Sequence, residues 1–312
     1  MKNKSKQTLT IIVPVFNEYQ ALPKFLDQLK PVVRKLQQEI ECRLIFVDNG
    51  STDKSREVLI KGVFLGVPSG VLTLSRNFGY ETALIAGLHY ADSDFYCFCD
   101  SDGEDPVELI PKFLQSMKNG FYIALGIRKK RFEPLSTKMF RQLAYVVATK
   151  ISDDPFTRNG GNFSMFNQAV KTAILKENSS FPFLRATLTR CGLPLEKFEH
   201  NRKARLDGRS KHKKLNLLKF AVAGFLTTTT WPLRVVAYLS IISSLLIILF
   251  SVIKRTNFYF EMFVILEFFM FFTFISLYLA RVYKNSLGKP LFYVNWDESI
   301  ALNKFKWNIT HK

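Results

Sequence analysis

Asp100 and Asp102 place two carboxylates two residues apart, with a third at Glu104, directly behind the apolar run Tyr96-Cys97-Phe98-Cys99. Carboxylates in this pattern suit a hard divalent cation, which takes oxygen ligands and keeps positions open for phosphate. An isolated Asp-x-Asp is more often a solvated acidic turn. The residues around this one argue for chemistry. Aromatic and Cys residues at 96–99, bounded by turn formers, read as a short buried strand. Such a strand delivers the acidic residues behind it to the sheet edge, where open α/β folds bind ligands.

Three earlier runs repeat the arrangement. Thr10-Ile11-Ile12-Val13-Pro14-Val15 leads into Phe16-Asn17-Glu18, and Leu44-Ile45-Phe46-Val47 leads into Asp48-Asn49-Gly50-Ser51-Thr52-Asp53. Val71-Leu72-Thr73-Leu74 leads into Ser75-Arg76-Asn77-Phe78-Gly79, with a helix-compatible segment over Tyr80–Tyr90 behind it. Continuous apolar strands separated by helical segments predict an α/β domain with a mostly parallel sheet covered on both faces. Polar clusters then gather at the carboxyl ends of four consecutive strands, where a doubly wound sheet places its site. A dinucleotide-binding dehydrogenase is excluded, because Pro14-Val15-Phe16-Asn17-Glu18 stands where Gly-x-Gly-x-x-Gly would be needed.

With these residues in place, the sequence resembles the inverting family-2 glycosyltransferases of the A-type, Rossmann-like fold. The resemblance is to the branch that loads a sugar onto a polyprenyl phosphate, undecaprenyl or dolichyl. It is carried by Val13-Pro14-Val15-Phe16-Asn17-Glu18, Val47-Asp48-Asn49-Gly50-Ser51, Leu74-Ser75-Arg76-Asn77-Phe78-Gly79, Asp100-x-Asp102, Gly208-Arg209-Ser210-Lys211, and Tyr278-Leu279-Ala280-Arg281-Val282-Tyr283 with Lys289-Pro290-Leu291. Processive polysaccharide synthases of the same family carry Gln-x-x-Arg-Trp, which this chain lacks.

Composition bears on the setting. The chain has 312 residues, 44 Lys+Arg against 26 Asp+Glu for a net charge of +18, and 47% hydrophobic residues. A basic yet apolar chain points to a membrane surface, and no nucleic-acid module is present. Four cysteines, Cys42, Cys97, Cys99 and Cys191, lack zinc-site spacing and read as reduced packing residues. No signal peptide precedes Met1-Lys2-Asn3-Lys4, so the expected location of the soluble part is the cytoplasm, on a bacterial inner membrane.

The expected organisation is a catalytic domain over 1–212, a juxtamembrane interfacial helix over 213–230, a transmembrane hairpin over 231–283 and a cytoplasmic tail over 284–312. The hairpin's spans are 231–253 and 258–283, each long enough to cross a bilayer. Glu261 and Glu267 lie in the second span, where ionised carboxylates are costly. Basic residues crowd both outer flanks, while only Lys254 and Arg255 occupy the connection, so both ends are expected on the cytoplasmic side. The apolar segment 215–226, with a basic edge, suits either the lipid interface or packing on the catalytic domain.

The resemblance implies roles. Pro14, Phe16, Glu18 and Asp48 would hold the nucleotide of a nucleotide-sugar donor, Phe16 standing where many relatives carry Tyr. Asp102, with Asp100 and Glu104, would hold Mg²⁺ or Mn²⁺ against the diphosphate. Arg128, Arg141, Arg209 and Lys211 would form a cradle for the polyprenyl phosphate, with bidentate guanidinium contacts suited to phosphate. One departure stands out. Relatives carry Asp residues and an Arg in the segment that reads here Asn159-Gly160-Gly161-Asn162-Phe163-Ser164-Met165-Phe166, and the family base falls at Asn159 or Asn162. A phosphate monoester is largely dianionic at pH 7 and can attack without a base, whereas a sugar hydroxyl cannot. Two classes remain open: a membrane enzyme making polyprenyl-phosphate-sugar for cell-envelope glycans, or a non-catalytic partner subunit that binds nucleotide sugar or lipid phosphate. A homo-oligomer is compatible with either.

Overall fold

Alternate residues of the first strand enter opposite cores, Leu9, Ile11, Val13 and Val15 on one side and Ile12 on the other. The second strand repeats this, with Cys42, Leu44 and Phe46 opposite Ile45 and Val47. A strand buried on both faces has no polar side to show, which is why these runs read as continuously apolar. The computed structural model describes residues 6–61, 67–129, 160–177, 179–203, 205–206, 229–253, 258–302 and 304–308.

The strands are β1 (Thr8–Val15), β2 (Glu41–Asp48), β3 (Ser69–Thr73), β4 (Phe95–Phe98), β5 (Ile123–Arg128), β6 (Gly160–Asn167), β7 (Leu195–His200) and β8 (Ile300–Leu302). They form one sheet in the order β7-β5-β6-β4-β1-β2-β3-β8. The central block β4-β1-β2-β3 is parallel, as expected from the strand–helix alternation. β6 runs antiparallel to both β4 and β5, and β8 runs antiparallel to β3. The helices α1 (Leu22–Glu39), α2 (Ser55–Lys61) and α4 (Ile110–Lys118) contribute to one core. On the opposite face lie α3 (Tyr80–Tyr90), α5 (Gln168–Lys176) and α6 (Leu184–Arg190). α3 sits so close to the sheet that a Cβ at Gly87 would come within 2.5 Å of Ile12 and 2.8 Å of Val47.

Two apolar helices come next, α7 (Trp231–Ile253) and α8 (Phe258–Ser286), the second running past the expected end at residue 283. Among the described residues, Met262–Ser286 is long and apolar enough to cross a membrane, with mean hydropathy 2.2. Leu233–Leu246 of α7 is a shorter apolar stretch. Leu266, Phe268 and Phe269 of α8 are exposed on the isolated chain. The interfacial segment expected at 213–230 lies outside the described residues except for its last two.

The chain after α8 returns to the catalytic sheet. Asn285 Oδ1 accepts from Ser180 N–H at 2.8 Å. Ser75 N–H then donates to the Tyr293 carbonyl, and Asn295 N–H to that of Thr73. β8 covers the edge of β3, and Phe305 and Trp307 pack over Gly70 of β3 in the core on the α3 side of the sheet. What the sequence presents as a tail is therefore an edge of the sheet. Cys42, Cys97 and Cys99 are free and buried in one core, as expected, and burial pushes the Cys42 thiol up to about 12.

Candidate active site

The carboxyl ends of β1 to β4 open onto a cleft of about 380 Å³ lined by Pro14, Phe16, Glu18, Asn49, Asn77, Gly79, Tyr80, Asp100, Asp102 and Arg205 among others. Its walls are loops that staple one another. Asn17 adopts a left-handed φ of 56°, and its side-chain oxygen accepts from Thr52 N–H at 2.8 Å, tying the β1 loop to the β2 loop. Glu18 N–H reaches Ser55 Oγ at 2.8 Å. Asn49 accepts from Phe78 N–H at 3.0 Å and donates to Asn77 Oδ1 at 3.2 Å, which joins β2 to the loop after β3. Gly50 is needed in that joint: its φ is +70°, and a Cβ there would meet the Arg76 backbone at 2.5 Å.

Pro14, Phe16 and Glu18 thus face the cleft. Asp48 lies beneath it, buried, with Oδ1 accepting from Ser51 N–H at 2.9 Å. Burial raises its pKa, against the pull of the Ser51 contacts.

Ser101 Oγ donates to the Pro14 carbonyl at 3.0 Å and fixes the acidic loop to β1. Asp102 Oδ1 accepts from Glu104 N–H at 3.0 Å, closing a tight turn. The Tyr80 hydroxyl donates to Asp100 Oδ1. Burial first, and then the Asp105 and Asp102 carboxylates, push Asp100 up to about 7. Asp102 is also raised by burial, against the pull of Arg205. Crowded negative charge of this kind is what a bound dication relieves. The structure does not bring Glu104 to that pair. Its carboxylate is engaged by Arg202 and by Arg205 Nε at 3.0 Å. Among the described residues no set of three or more His, Cys, Asp or Glu is arranged to hold a metal. Asp100 and Asp102 alone still fit Mg²⁺ or Mn²⁺, because such ions accept one or two carboxylates and fill the rest with phosphate and water.

The loop after β7 folds over the cluster. Lys203 N–H donates to the Glu104 carbonyl at 2.9 Å, and Arg205 Nη2 lies 3.5 Å from Asp102 Oδ2. Arg128 is nearly buried beside Asp105, 3.3 Å from Oδ2, and His200 Nε2 approaches the other Asp105 oxygen at 3.3 Å. Burial pushes Asp105 upward, but His200 and Arg128 outweigh it and hold the carboxyl below its usual range. Asn162, on β6, is buried and donates to Glu81. Asn159, Arg141, Arg209 and Lys211 lie outside the described residues. Asn49 and Asn77 lie in the polar clusters expected at the strand ends, without roles assigned to them there, whereas Tyr80, at the start of α3, and Arg205 were not singled out.

Residues 10–181 match the model for glycosyl transferase family 2, more than half of the chain. The chain belongs to glycosyl transferase family 2. It is 30% identical over 237 residues to the bactoprenol glucosyl transferase of Shigella phage SfV, covering 75% of this chain and 76% of that protein. It is 25% identical over 308 residues to the undecaprenyl-phosphate 4-deoxy-4-formamido-L-arabinose transferase of Photorhabdus laumondii, covering 92% and 93%. A crystal structure of glucosyl-3-phosphoglycerate synthase from Mycobacterium tuberculosis with phosphoglyceric acid superposes with a TM-score of 0.51 at 17% identity, covering 72% of this chain and 80% of that one. That likeness shows the shared A-type glycosyltransferase fold.

Proposed function

We propose that this chain is an integral-membrane glycosyltransferase that moves a sugar, with inversion, from a nucleotide sugar to a polyprenyl phosphate at the cytoplasmic leaflet. The observation that carries the reading is the cleft in which Pro14, Phe16 and Glu18 face Asp100 and Asp102, in a chain with the apolar α8 behind its catalytic sheet. The names of the relatives, bactoprenol glucosyl transferase and undecaprenyl-phosphate arabinose transferase, support the acceptor class.

In this reading Phe16 offers a face to the base, and Glu18, with Asp48 below, accepts hydrogen bonds from the nucleoside. Asp100 and Asp102 would hold Mg²⁺ or Mn²⁺, which when bound offsets charge on the departing diphosphate. An oxygen of the lipid phosphate attacks the anomeric carbon from the face opposite the diphosphate. The bond from that carbon to the diphosphate oxygen breaks, and the nucleoside diphosphate leaves. The acceptor is already ionised near neutral pH, so Asn159 and Asn162 are compatible with turnover. Arg128, Arg141, Arg209 and Lys211 hold the acceptor phosphate, with Asp105 and His200 behind Arg128. In the same reading the chain divides into a catalytic domain, an interfacial helix, a membrane hairpin whose second helix runs to Ser286, and a tail that also serves as sheet edge.

The test is transfer from radiolabelled nucleotide sugars to undecaprenyl and dolichyl phosphates in membranes expressing the chain, with Mn²⁺. Formation of a polyprenyl-phosphate-sugar is the expected result. Nucleotide binding with no transfer from any donor would instead leave a subunit that holds nucleotide sugar without turning it over.

A further inference from the structure

Three elements that meet beside the cleft are joined through one buried carboxylate. Glu81, in the first turn of α3, is 5% exposed. Its Oε1 accepts from Asn162 Nδ2 on β6 at 2.9 Å, and its Oε2 accepts from Leu184 N–H at the start of α6 at 3.2 Å. Asn162 is 2% exposed, and its Oδ1 is buried without a hydrogen-bond partner. An ionised carboxylate only accepts, so Asn162 must turn its NH₂ toward Glu81 and its oxygen away. Burial pushes the Glu81 carboxyl up, while the Asn162 amide, the Arg185 guanidinium and Leu184 N–H pull against that. The residue before Glu81 is Tyr80, which lines the cleft and donates to Asp100.

We infer that Glu81 is a positioning residue: through Asn162 and Leu184 it pins the first turn of α3, so that the Tyr80 hydroxyl is held on Asp100 at the floor of the cleft. Asn162 serves as the amide donor to that carboxylate and not as a proton acceptor. A buried hydrogen bond between two otherwise unreachable groups is expensive to leave unmade, so the pair holds its two elements in one relative position. This deepens the proposed reaction and rests on it for the meaning of the cleft, but the contact itself can be tested without the acceptor.

The polarity of the pair makes the test specific. Asn162→Asp sets two carboxyl groups in contact, and the buried pair can bond only by taking up a proton that the wild-type amide does not need. The double variant Glu81→Gln/Asn162→Asp reverses the pair: the amide NH₂ now at position 81 donates to the carboxylate now at position 162, and the amide carbonyl still accepts from Leu184 N–H. For full-length protein in detergent, we would measure UDP and GDP affinity with Mn²⁺ by calorimetry, melting temperature, and initial transfer rate. Asn162→Asp should weaken nucleotide·Mn²⁺ binding by about tenfold or more at alkaline pH, where the pair has lost its shared proton and the two charges repel and release the first turn of α3. The double variant should recover to within about threefold of wild type, a difference of less than a kcal/mol. Tyr80→Phe should weaken the same affinity, and adding it to Asn162→Asp should cost little more, because the two act through one contact. At alkaline pH, Asn162→Asp binding as tightly as wild type, or a folded double variant no better than Asn162→Asp, would overturn the assignment. Failure of lipid transfer in wild type with the affinity pattern intact would overturn the proposed acceptor and leave Glu81 in its role.

Discussion

At the scale of single residues, the cleft is governed by how negative charge is tolerated. Asp102 turns its loop tightly and faces the cleft, so Asp102→Asn keeps the turn's acceptor oxygen while removing the charge. Turnover should fall by about 10²-fold or more, the usual scale for losing one electrostatic contact in a transition state, with melting temperature little changed. Transfer that persists in excess chelator would refute the metal role. Asp100 gives the pH dependence. Its folded pKa, raised to about 7 by burial and the neighbouring carboxylates, lies above the ordinary value of 3.8. The folded state therefore binds this proton more tightly than the unfolded state, and metal-free stability declines as pH rises from about 4 to about 7. Asp100→Asn should stabilise the metal-free protein at pH 8 by at most about 4 kcal/mol, read as a higher melting temperature, and the gain should vanish near pH 4. A gain that grows toward acid pH would contradict the sign.

At the scale of elements, the return of the chain after α8 matters most. Thr73 ends β3 and opens the loop that carries Asn77 and Gly79 into the cleft. Its backbone is held from the far end of the sequence: Thr73 N–H donates to Ser299 Oγ at 3.0 Å, and its carbonyl accepts from Asn295 N–H at 2.8 Å. Asn295→Pro removes that donor and leaves a buried carbonyl unpaired, at a cost of about 1–3 kcal/mol. The expected outcome is a lower melting temperature together with weaker nucleotide affinity, both read on purified protein. An unchanged affinity would show that the loop is set by Asn49 alone. A bare β3 edge would also be a template for unwanted pairing, which β8 blocks.

For the whole molecule, the central expectation is orientation. Lys254 and Arg255 are the basic residues of the connection between α7 and α8, against dense positive flanks on either side. In cells, a cysteine placed at Asn257 should react with an impermeant thiol reagent added from outside, while cysteines at Ser210 or Asn303 should not. Cys42, Cys97 and Cys99 are buried, and Cys191→Ser would remove the native thiol that is partly exposed. External labelling at Ser210 would place the cleft on the side away from cytoplasmic nucleotide sugars and would sink the proposed reaction.

The parallel core, the polar loops at its carboxyl edge and the apolar helices were all legible in the chain itself. Each arises from local rules: strands buried on both faces must be apolar, and helices long enough to cross a bilayer must be predominantly apolar. Pro14, Phe16, Glu18, Asp100 and Asp102 could be read as one site because each lies at the end of a parallel strand, so topology alone gathers them. Which carboxylates face the cleft was not legible. Glu104 has the same chemistry and nearly the same spacing as Asp102, yet Arg202 and Arg205, about a hundred residues later in the chain, claim it. Glu81 reads as an ordinary first-turn acid of a helix, and only the approach of β6 and α6 makes it a buried junction. Likewise nothing in residues 294–302 names β3 as their partner. Hydrogen bonds between distant segments depend on where the fold brings them, and one-dimensional pattern carries only what each segment requires of its own surroundings.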